Sequence, residues 1–134
     1  MSLVGKQRAK VVTKKQFEII LRKFVAFLKQ QLRINSDIPV VLIDDANFSI
    51  THKSFGMIDI KNRVIYLSIV NRHPIDILRT FAHEYVHFKQ LMSGKLMDGS
   101  TGSPVENQAN AKAGELMRKY GKLHPELFEL TSIR

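Results

Sequence analysis

Apolar residues change their period several times along this 134-residue chain, and each change marks an element. Phe17, Ile20, Leu21, Phe24, Phe27, Leu28 and Leu32 recur at helical spacing. With Thr13 and Gln16 placed as a capping box, the pattern predicts a helix over about 13–33. The β-branched run "IPVVLID" (38–44) ends in "DDAN" and reads as a strand and a turn. "FGMIDI" and "RVIYLSI" flank Lys61-Asn62 and read as a β-hairpin, whereas 46–54 favours no element. Pro74 stands where a first helical residue would, and the helical period then runs from 75 to about 93. Residues 93–103 are rich in Gly and Ser, lack periodicity and read as a loop. Ser103-Pro104-Val105-Glu106 opens another helix, expected to reach Tyr120 and stop at Gly121, with a last short helix around 125–130.

These elements predict an α+β fold: an N-terminal helix, a small, mostly antiparallel sheet of about three strands, and two long helices. The length fits one domain, placed at 13–134, with 1–12 as a basic, flexible arm. On the 75–93 helix, Asp76, Arg79, Thr80, His83, His87 and Gln90 form one stripe. Ile77, Leu78, Phe81, Tyr85, Phe88 and Met92 form the opposite one, so the histidines are expected to lie off the core.

Those histidines belong to "HEYVH", with Glu84 directly after His83 and His87 four positions on. Imidazoles at i and i+4 share a helix face and can reach one ion at roughly 2.0–2.1 Å. Glu84 points about a third of a turn away, close enough to take a proton without filling the coordination sphere. Five histidines and six glutamates in this chain would produce the pattern by accident with a probability of about 0.01, so its context has to carry the rest. A catalytic zinc needs three protein ligands and one open position, and His-His-Glu is a known set. Glu106, in the first turn of the next helix, is the third-ligand candidate, and Asn110 on the same face is placed to hydrogen-bond a ligand. Glu106 also fits another role, as the reciprocal partner of Ser103 in a capping box. Gln108 and Glu115 fall about 200° and 180° around the helix from it, on the side away from the apolar face.

Composition narrows the setting. Without cysteine there are no disulfides or thiolate ligands, so a metal must be held by nitrogen and oxygen. With 44% hydrophobic and 25% charged residues and no bilayer-length apolar run, the chain reads as globular with no membrane partner. The start lacks the features of a secretory signal, which makes the cytoplasm the expected location. The net charge of +9 is uneven. Residues 1–36 hold nine Lys or Arg against Glu18 alone, net +8, and 37–134 hold twelve against eleven acids, net +1. Contact with nucleic acid or an acidic partner would therefore fall to residues 1–36, unless their charge is simply a solvated helix face.

"HEYVH" followed by "PVENQANAKAG" resembles the glutamate-zincin metallopeptidases, in which a helix bearing a glutamate ligand follows the HExxH helix. More narrowly, "DILRTFAHEYVHFKQ" and "GSTGSPVENQANAKAGELMRKYGKLHP" resemble small zincin-like proteins encoded by tailed bacteriophages. The likeness is specific over about 74–125, looser over 37–73 and absent from the N-terminal arm. It implies a minimal zincin-like core and Zn2+ held by His83, His87 and Glu106. It also implies hydrolysis of a protein or peptide by zinc-bound water, with Glu84 as general base and the substrate extended along an edge strand. Such families often carry a second glutamate where this chain has Gln108. The alternative is a non-enzymatic protein of the same fold that engages nucleic acid or an acidic partner through its basic N-terminal region. No oxyanion donor is evident: Tyr120 lies about 21 Å along the helix from Glu106, and His52, His73 and His124 read as surface or loop residues. The 93–103 loop joins the ligand-bearing helices and is expected to border the cleft as a lid.

Overall fold

A computed structural model describes residues 10–94 and 103–133. In chain order the elements are β1 (Lys10–Val12), α1 (Lys14–Leu32), β2 (Val40–Ile43), α2 (Asn47–His52), β3 (Gly56–Asp59) and β4 (Val64–Ser68). Then come α3 (Pro74–Met92), α4 (Pro104–Leu123), a 3-10 turn (Pro125–Glu129) and β5 (Leu130–Ile133). Residues 95–102, which hold most of the expected lid loop, lie outside the described residues.

Local chemistry explains the helix boundaries. Thr13 Oγ1 accepts from the Gln16 N–H at 3.0 Å, and Gln16 Oε1 accepts from the Thr13 N–H at 2.8 Å, the reciprocal box that starts α1. Pro74 and Pro104 each open a helix, where a missing N–H costs nothing. The cap before Pro74 is His73, whose Nδ1 accepts from the Ile75 N–H at 3.0 Å. One boundary departs from the expectation: α4 continues through Gly121 to Leu123. Pro125 supplies the stop, because the residue before a proline is disfavoured in the helical region.

The main sheet has the order β2-β4-β3. β3 and β4 form the expected antiparallel hairpin, but β4 rather than β3 lies beside β2, and β2 and β4 run parallel. The sheet is therefore evenly mixed rather than mostly antiparallel. α2, in the segment without a clear period, carries the chain past the centre so that the hairpin returns inward. A second, unforeseen sheet pairs β1 with β5 in parallel. Lys10–Val12 thus belong to the folded domain, and the arm boundary drawn after residue 12 moves back accordingly.

α3 is the central helix, packed against α1, α4, β3 and β4. Its Ile77, Leu78, Phe81, Tyr85 and Phe88 are buried, as the apolar stripe requires, although Met92 is half exposed. The opposite stripe stays exposed at Asp76 and Arg79 but not at its C-terminal end. α4 covers that end, leaving His87 5% and Gln90 3% exposed, so the expectation that both histidines lie off the core fails for His87. β3 approaches α3 closely at Gly56, where an added Cβ would stand 2.5 Å from Thr80 Cγ2 and 3.4 Å from Glu84 Cγ. Any side chain at 56 must displace Thr80. Among the described residues no helix is long and apolar enough to cross a membrane.

Candidate metal centre

Two turns of α3 and the first turn of α4 bring His83, His87 and Glu106 together. One ligand atom from each lies within 4.8 Å of the others. Glu106 spans the pair, with Oε1 2.6 Å from His83 Nε2 and Oε2 3.0 Å from His87 Nε2. The rings pack edge to face with centroids 4.5 Å apart, which aims both Nε2 atoms at the same carboxylate. Ser103 still caps α4, its Oγ accepting from the Glu106 N–H at 3.1 Å, but both Glu106 oxygens meet imidazole nitrogens.

Gln90 holds His87 from behind. Its Nε2 donates to Val105 O at 3.1 Å and to Gln108 Oε1 at 2.7 Å. A carbonyl can only accept, so the amide is oriented with Oε1 towards His87 Nδ1, 2.8 Å away. That nitrogen must then carry the proton, and in the neutral ring the Nε2 lone pair faces the Glu106 carboxylate. Two electron-rich atoms 3.0 Å apart require a positive centre, a proton or a metal ion. Gln90 stood on the histidine stripe, but its part was not recognised from sequence. Gln108, placed by the helical wheel on the far side of α4, in fact reaches back to Gln90.

Glu84 is buried, 7% exposed, and its Oε2 lies 3.0 Å from His83 Nδ1. Burial works against a charge on His83. The carboxylates of Glu84 and Glu106 at its two nitrogens outweigh that and hold its pKa above the ordinary imidazole value. A cleft of about 290 Å3 opens beside these groups, walled by Ser54, Phe55, Arg79, Thr80, His83, Glu84 and Asn110. Asn110 therefore shares the cleft with His83 and Glu84. The remaining histidines stand elsewhere: His52 against Phe48, His73 at the α3 cap, and His124 against Tyr120 and Glu126. Tyr120 itself is buried against Phe24 and Phe27.

The donor set suits zinc. Two imidazole nitrogens and a carboxylate oxygen within 4.8 Å of one another are a set that zinc accepts. The chain matches no protein-family model, no curated protein and no solved structure.

Proposed function

We propose that the chain is a zinc-dependent metallopeptidase of minimal zincin-like build, in which His83, His87 and Glu106 hold the metal and Glu84 handles the proton. The observation that carries this reading is the convergence of the three ligand atoms within 4.8 Å beside a fourth side chain, the buried carboxylate of Glu84. Glu84 borders the cleft as well as His83, where a carboxylate can exchange a proton with a reacting group. When bound, zinc supplies a Lewis acid that activates water near neutral pH and polarises a carbonyl. Glu84 takes the proton from the attacking water on a carboxylate oxygen and delivers it to the leaving amine. Gln90 keeps His87 in the tautomer that presents Nε2, and the polar wall from Ser54 to Asn110 offers partners to an extended peptide backbone.

The test is metal content beside turnover. Wild type should hold one zinc per chain, and Glu106→Ala should lose it; zinc retained in that variant would remove Glu106 from the ligand set. Glu84→Gln should keep the zinc and lose peptide hydrolysis by at least about a hundredfold. One observation favours a second reading, a non-enzymatic metal-holding protein. Glu84 Oε2 sits on His83 Nδ1, a position that also suits a carboxylate which merely orients the ring. Under that reading Glu84→Gln weakens zinc binding, and wild type cleaves no peptide.

A further inference from the structure

β2 is an outer strand, at the opposite edge of the sheet from the cleft. Its inner side is paired with β4: Pro39 O accepts from the Ile65 N–H at 3.0 Å and Ile43 O from the Ile69 N–H at 3.1 Å. Alternate residues of a parallel strand face its partner. The register Val40↔Ile65 to Ile43↔Ser68 therefore turns the N–H and C=O groups of Val40 and Leu42 outward. Among the described residues no strand takes up that side.

A groove of about 580 Å3 runs between this edge and α1. Leu21, Val25 and Val40 to Leu42 give it an apolar lining, and Lys14, Arg22 and a single acid, Glu18, complete it. Edge strands are ordinarily blunted by lysine, proline or a bulge, and Val40–Ile43 contains none of these. At about 3.3 Å per residue the open edge is roughly 13 Å long, enough for a short extended segment.

We propose that this groove docks an extended, acidic segment of a partner protein, which joins the sheet as a fourth strand beside β2. Backbone groups spaced two residues apart are matched by another backbone and not by bases or phosphates, so the edge favours protein over nucleic acid. Charge selects the kind of protein. α1 carries Lys14, Lys15, Arg22, Lys23 and Lys29 against Glu18, and neither Lys14 nor Arg22 has an ion pair among the described residues. A second copy would set two such helices side by side. Residues 1–9 of the same chain bring Lys6 and Arg8 and no acid. Docking here does not depend on the metal centre.

The experiment is selection of random eight-residue peptides, displayed on particles, against the immobilised full chain, followed by titration of the enriched sequences as synthetic peptides. Enriched peptides should alternate apolar residues with Asp or Glu. The double charge reversal Lys14→Glu with Arg22→Glu, at exposed positions, should weaken them about tenfold or more. Leu42→Pro, which removes an outward N–H, should abolish binding; if that variant does not fold, the charge reversal decides alone. The proposal is overturned by enrichment without acidic residues or by binding indifferent to the charge reversal. Peptide binding that appears only after residues 1–9 are deleted makes those residues the occupant and overturns it too, as does duplex DNA captured through Lys14 and Arg22 in the absence of peptide selection.

Discussion

Gln90 braces the candidate metal centre with a single amide, since one side chain contacts His87 of α3 and two groups of α4. Gln90→Ala should lower zinc affinity about 10- to 100-fold without removing a ligand, as read by competition with a chromophoric chelator. Gly56 acts by having no side chain. Gly56→Ala should destabilise the fold by about 1–3 kcal/mol in urea denaturation, because its methyl group meets Thr80 Cγ2. Thr80→Ser removes that methyl while keeping the hydroxyl bonded to Arg72, so the double variant should recover most of the loss. If it recovers nothing, the crossing of β3 over α3 is not the cause.

Elements that follow from local pattern were legible, and those that depend on distant partners were not. The Thr13 box, the periods of α1 and α3 and the hairpin around Lys61-Asn62 need only neighbouring residues, and each stands where the sequence places it. Thr13→Ala should cost about 1 kcal/mol in the same denaturation assay. β1 was missed because its partner lies at the other end of the described chain: Thr131 Oγ1 donates to Lys10 O across 121 positions. A three-residue strand has no period of its own to betray it. The site divides in the same way. His83 and His87 are a helix repeat, and Glu106 follows from a capping signal, but the role of Gln90 is set by where α4 docks. Burial of His87 has that same origin, since a wheel drawn for one helix cannot show what another will cover.

Across the whole molecule, α3 carries both the largest share of the core and most of the chemistry, so stability and site are read from the same residues. Tyr85 gives a direct measure. Its hydroxyl is buried with no hydrogen-bond partner among the described residues, and burial first, with the charge of Asp37 adding, pushes its pKa up to about 12. An unfolded chain releases that proton near pH 10 and the folded one retains it, so stability holds below about pH 10 and falls as pH rises towards 12. Tyr85→Phe should flatten that decline in a pH series of urea midpoints, and should add about 1 kcal/mol at neutral pH by removing the unpartnered hydroxyl. The enclosure of α3 by a sheet on one side and two helices on the other has a further consequence, for amide hydrogen exchange. Backbone amides around His83 and His87 should be among the last to take up deuterium. A helix enclosed in this way opens only when the domain opens as a whole, so the cluster of His83, His87 and Glu106 should keep its shape through the partial unfoldings that release the shorter strands.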